Sequence, residues 1–130
     1  MSENLSRYAE LAGRIFISII FLLSGFNKIG GFAGTQAYME SMGVPGMLLP
    51  LVIVLEIGGG LAVMLGWYTR WFALALAVFS VAAALLFHFN FEDKMQSIMF
   101  LKNIAIAGGF MVIFAHGPGD LSLDKRLGRT

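Results

Sequence analysis

From Met47 to Leu65 every residue except Glu56 is apolar or glycine. At about 20 residues per helical span, that run suits a hydrocarbon layer about 30 Å thick, and it places a carboxylate near the middle. An ionisable group at that depth costs at least roughly 2.5 to 3.5 kcal/mol on insertion scales, so it is normally paired, protonated or used. The chain must therefore fold so that Glu56 faces other helices and not lipid tails. Three further apolar runs make up most of the remaining sequence. With 58% hydrophobic and 13% charged residues over 130 positions, the composition excludes a water-soluble domain of this size.

The fold class is all-α: a four-transmembrane-helix bundle in one domain over residues 1–130, with spans at about 11–27, 47–66, 70–90 and 97–115. Arg7 and Arg14 precede the apolar run from Ile15 to Phe26 as in a signal peptide. No small-residue cleavage site follows, so this reads as a retained first span. Asn27, Lys28, Gly30 and Gly31 break the first helix, Gly66 the second, and Gly117-Pro118-Gly119 the fourth. Four alternating helices put both termini on one side. Arg7, Arg14, Arg70, Lys125, Arg126 and Arg129 fall there, against Lys28, Lys94 and the slightly deeper Lys102 on the other side. The positive-inside rule then places both termini in the cytoplasm of a bacterial cell, with the chain multi-pass in the inner membrane. In the first outer connection, Thr35 to Met42 is expected to form a short interfacial helix; a plain spacer is the competing reading.

Charge and cysteine content narrow the function classes. A net charge of +1 and no basic patch among aromatics argue against nucleic acid as a partner. With no cysteine, thiolate chemistry, disulfide exchange and cysteine-held metal clusters are excluded for this chain. His88 and His116 fall at opposite surfaces and no carboxylate-histidine cluster is present, so no metal site is expected. The eight methionines are scattered and read as packing.

At 3.6 residues per turn, Arg14, Ser18, Phe21, Gly25 and Lys28 share a stripe of the first helix. Glu56, Gly59, Gly60 and Val63 share one on the second, with Gly58, Ala62 and Gly66 beside it as a small-residue contact for a partner. Ala73, Ala77, Val81, Ala84 and His88 align on the third, and Lys102, Ala105, Ile106 and Gly109 on the fourth. Lys102 lies a few ångströms shallower than Glu56, a gap a lysine can close, so a Glu56–Lys102 ion pair is expected. Arg14 either snorkels to headgroups or supports Glu56 from below. His88, Asn103 and Lys28 lie at the outer ends of their helices. The polar set thus converges on a pocket in the outer half, with Glu56 at its floor and as candidate catalytic group. Arg14, Lys28, Glu56, His88, Lys102 and Asn103 are the candidate ligand-binding residues.

The ordered set Arg14-Ile15, Ser24-Gly25-Phe26-Asn27-Lys28, Tyr38 through Val44-Pro45, and Glu56 with Gly58-Gly59-Gly60 and Gly66 resembles the DoxX family of small bacterial membrane proteins. Thr69-Arg70, Phe87-His88, Phe100-Leu101-Lys102-Asn103, Ala107-Gly108-Gly109 and Gly117-Pro118-Gly119 before Leu121-Ser122-Leu123-Asp124 continue the likeness, which is greatest to the inner-membrane branch. The resemblance implies a four-helix bundle in the cytoplasmic membrane. For some relatives it also implies a subunit of a sulfur-compound:quinone oxidoreductase or a part of an oxidative-stress complex. Site positions of that pattern map to Arg14, Lys28, Glu56, Arg70, Lys102 and Asn103.

The leading expectation is a membrane subunit that binds a lipophilic ligand such as a quinone, is linked to redox or oxidative-stress metabolism and holds no covalent cofactor; a non-catalytic subunit of a quinone-linked oxidoreductase is one form of it. Lys102 and Asn103 would donate to a carbonyl while Glu56 exchanges the proton that accompanies reduction. A proton-coupled carrier for a small solute and an assembly scaffold for other membrane subunits, or for a homo-oligomer, are the alternatives.

Overall fold

The computed structural model describes residues 2–129. The Ser2 side chain accepts the N–H of Leu5 and starts α1, Glu3–Gly30, a helix about 42 Å long. The helix therefore begins well before the apolar run, as an interfacial lead-in. A single residue separates it from α2, Phe32–Ser41. The loop helix thus exists, displaced three residues toward the N-terminus of its expected start at Thr35. A 3₁₀ turn, Gly46–Leu48, leads into α3, Leu49–Leu65, which carries Pro50 in its first turn where a missing N–H costs nothing. Then come α4, Thr69–Phe87, α5, Lys94–His116, and the short α6, Leu123–Arg126. Among them α1, the turn plus α3, α4 and α5 are long and apolar enough to cross a membrane.

The helices pack in sequence: α1 on α3, α3 on α4 and α4 on α5. Phe21, Val63, Leu76, Ala77 and Phe110 meet at the centre. Two glycines set the spacing. A Cβ on Gly25 would lie 2.5 Å from Cγ1 of Ile57, so glycine lets α1 and α3 approach closely. At Gly109 a Cβ would lie 2.8 Å from Cδ1 of Ile17, which brings α5 against α1 near the centre of the bundle.

The expected inward stripes hold for α1, where Arg14, Ser18, Phe21 and Gly25 are all buried. They hold for Glu56, Gly59, Gly60 and Val63 on α3. Three stripes differ from expectation. On α4, Val81 is exposed and Ser80 is buried in its place, because the spacing Ala73, Ala77, Ser80, Ala84 keeps to one helical face. On α3, Ala62 and Gly66 are buried within the chain and only Gly58 faces outward, so these three do not form an exposed contact stripe. On α5 the buried line runs through Ala107 and Phe110, while Lys102 and Ala105 are exposed. Apolar residues are spread around the whole circumference of that helix, so its sequence carries little phase information.

At the end holding both termini, the segment after α5 folds back over the bundle. Gly66 ends α3 in the left-handed region, and Tyr68 before α4 also has a positive φ of 46°. Asp124 supplies the cap that Tyr68 lacks. Its carboxylate accepts the N–H groups of Tyr68 and Thr69 at 2.8 Å and the Thr69 hydroxyl at 2.7 Å. Arg129 reaches the same carboxylate at 3.3 Å and lies over the Tyr68 ring. Burial raises the Asp124 pKa, but these hydrogen bonds outweigh it and hold the carboxyl below its usual range.

Candidate functional site

The end of the bundle opposite the termini contains a cavity of about 260 Å³ beneath α2. Four spans and α2 contribute to it. Glu56, only 3% exposed, forms its floor together with Ser80 and Phe79, while Thr35, Tyr38 and Met39 of α2 roof it. Tyr38 is held by stacking on Phe87, ring centroids 5.7 Å apart. The loop helix is therefore a lid element, which decides against the plain spacer.

Lys28, not Lys102, pairs with Glu56: its Nζ lies 2.8 Å from Oε1. The same ammonium donates to Ser24 Oγ at 2.6 Å, one turn back on α1. Helix direction explains the exchange of partners. Side chains tilt toward the N-terminus of their helix. Lys28 on α1 therefore leans down into the bundle, and Glu56 on the antiparallel α3 leans up to meet it. Lys102 on α5 leans away from Glu56, and its Nζ rests 3.4 Å from the Met99 thioether one turn earlier. Contact at Gly25, where a Cβ would sit 3.5 Å from Cβ of Glu56, brings the paired helices within reach. The Lys28 contact is close but off the hydrogen-bonding direction, so among the described residues Glu56 Oε1 has no directed donor.

The structure brings Lys28, Glu56, His88, Lys102 and Asn103 to the one cavity. His88 Nδ1 is already engaged, 2.7 Å from Gln96 Oε1 across the α4–α5 connection. Arg14 is elsewhere. It is 2% exposed and donates to the carbonyl oxygens of Val63 at 3.4 Å and of Leu121, pinning the C-terminal segment to α3. Neither snorkelling nor support of Glu56 describes it. Arg70 likewise stays at the terminal end, near the His116 carbonyl at 3.4 Å. Ser24, Tyr38 and Ser80 also line the cavity and are not among the site residues expected from the sequence. Ser24 was findable, four residues before Lys28 on the same face. Tyr38 was not, because docking of a short loop helix leaves no periodic signal.

A buried acid-lysine pair beneath a roofed cavity in a bundle of four membrane-length helices defines a polytopic membrane protein with an intramembrane polar site. The DoxX family model matches residues 9–89. The chain is 51% identical to "Inner membrane protein YqjF" of Escherichia coli (strain K12), with 98% of each chain covered. It is 35% identical to "Inner membrane protein YphA" of the same organism, covering 89% of this chain and 88% of the relative. At 29% identity it is similar to "Putative oxidoreductase CatD" of Bacillus subtilis (strain 168), covering 72% of this chain and 73% of that one. No solved structure matches. The chain belongs to the DoxX family and is a multi-pass protein of the bacterial inner membrane.

Proposed function

We propose that this protein is a membrane subunit that binds the polar head of a lipophilic molecule, such as a quinone, in the cavity beneath α2, in the service of redox metabolism. The observation that carries the reading is the Glu56 carboxyl, buried at the cavity floor with an oxygen lacking a directed donor and a lysine at 2.8 Å. A group left in that state in a membrane interior suits proton exchange with a bound head. Asn103 and Lys102 on the opposite wall supply donors for a carbonyl. The name of the Bacillus subtilis relative points toward oxidoreduction, and the roof and apolar walls suit a ring with a hydrocarbon tail.

Transport has less support. Below Glu56, the packed Phe21, Val63, Leu76 and Phe110 fill the bundle, so the cavity does not continue toward the termini. The test is quinone titration of the purified protein in nanodiscs, comparing wild type with Glu56→Gln. Affinity should fall about tenfold or more, the equivalent of about 1.4 kcal/mol. Equal affinity in the two folded proteins, or no binding to either, removes the reading.

A further inference from the structure

We infer that the cavity is loaded sideways from the bilayer through a slot along α1 beneath α2, and that Lys102 on the cavity rim selects single-tailed lipophiles whose head is anionic or purely hydrogen-bond accepting. This rests on the cavity being a lipophile site, and it adds the route and the head-group class.

The inner limit of the slot is where side chains of α1 and α5 meet. Toward the bundle centre the seam between them is closed: Ile17 abuts Gly109, and the rings of Phe21 and Phe110 meet edge to face with centroids 5.4 Å apart. A second hollow shares Ile20, Ser24, Lys28 and Thr35 with the cavity and continues to Leu23 and Asn27 on the outside of α1. Leu23 is 59% exposed, so this hollow opens where lipid lies. The cavity volume of about 260 Å³ falls just under the roughly 300–1,000 Å³ of pockets that enclose a whole drug-sized ligand. It holds a head and the start of a tail, and the rest of the tail needs the slot.

Charge sets the class of head. Lys28 and Glu56 cancel, and His88 is engaged with Gln96. Lys102 stands across from them, exposed, and among the described residues it forms no ion pair. Its nearest partner is a thioether, a weak acceptor. The cavity is left with one uncompensated cation at its rim, in a medium that makes such a cation seek an acceptor. Carboxylate, phosphate ester and quinone carbonyl heads satisfy it. Alkylammonium heads are repelled.

The test uses proteins in uncharged nanodiscs and dodecyl carboxylate, dodecyl phosphate and dodecyl ammonium as competitors of bound quinone, with Ala83→Trp as background, since Ala83 lines the cavity and a tryptophan there would fill it. The wild type should bind the two anions at least tenfold better than the ammonium. Lys102→Gln should abolish that preference and Lys102→Glu should invert it. A preference unchanged in Lys102→Glu, or no competition by any of the three while quinone still binds in a Glu56-dependent way, overturns this inference alone. Loss of quinone binding from the wild type itself instead defeats the reading beneath it.

Discussion

Lys28 and Glu56 differ in how they tolerate loss of the other, because the carboxylate is 3% exposed and the lysine side chain 26%. Lys28→Met strands the buried acid and should cost several kcal/mol, toward the roughly 3–5 kcal/mol seen when one member of a buried pair is removed. Glu56→Gln leaves an ammonium that reaches the cavity and should cost less. The double variant Lys28→Met/Glu56→Leu should be milder than Lys28→Met alone, since no charge remains buried. Thermal unfolding in one detergent gives the order, and a double variant worse than Lys28→Met would show that the pair is held for stability. Asp124 carries a pH signature. Its folded pKa lies below the unfolded value of about 3.9, so its contribution is complete above that value and is lost as pH falls through the lower folded one. Asp124→Asn should therefore be less stable at neutral pH, by about 1–3 kcal/mol, and lose less stability on acidification. Acid titration of unfolding temperature checks both. That Glu56 needs a partner was legible in its apolar surroundings. Which lysine meets it depends on helix direction and side-chain tilt, which a count of depth alone ignores.

Among the helices, the α1–α3 contact positions the site. Gly25→Ala should push Ile57 aside, spread the two helices and weaken both stability and quinone binding. Gly109→Ala meets only the far end of a flexible isoleucine and should be milder. Gly58→Ala meets nothing within 4 Å and should be neutral or slightly stabilising, since glycine is the poorer helix former by about 0.8–1.0 kcal/mol. Unfolding temperatures that do not rank Gly25, then Gly109, then Gly58 would contradict the packing described. The inward faces of α1 and α3 could be read from sequence because polar and small residues gather there. For α5 they could not: lipid and protein both accept apolar side chains, so nothing in the sequence marks Ala107 and Phe110 as its buried line. The α2 helix was visible as a segment but not as a roof, because its position depends on tertiary contacts such as Tyr38 with Phe87.

Across the whole molecule, we propose from the distribution of positive charges that the end bearing the termini faces the cytoplasm, which would put the roofed cavity in the outer half of the membrane. The cysteine-free sequence makes this directly testable, since a single introduced cysteine is the only thiol. Ser41→Cys and Asn90→Cys should react with an impermeant maleimide added outside intact cells, and Asn4→Cys only after lysis. The reverse pattern would invert the orientation. Arg14, Leu121 and Asp124 form a latch at the opposite end, which frees the charged residues of the cavity from any role in tying down the C-terminal segment. A lipophile head in the cavity is tested most directly by quinone binding stoichiometry in nanodiscs, compared between wild type and Ala83→Trp. One quinone per wild-type chain and none in the equally stable filled variant is the predicted result; equal binding by the two would place the ligand elsewhere and contradict it.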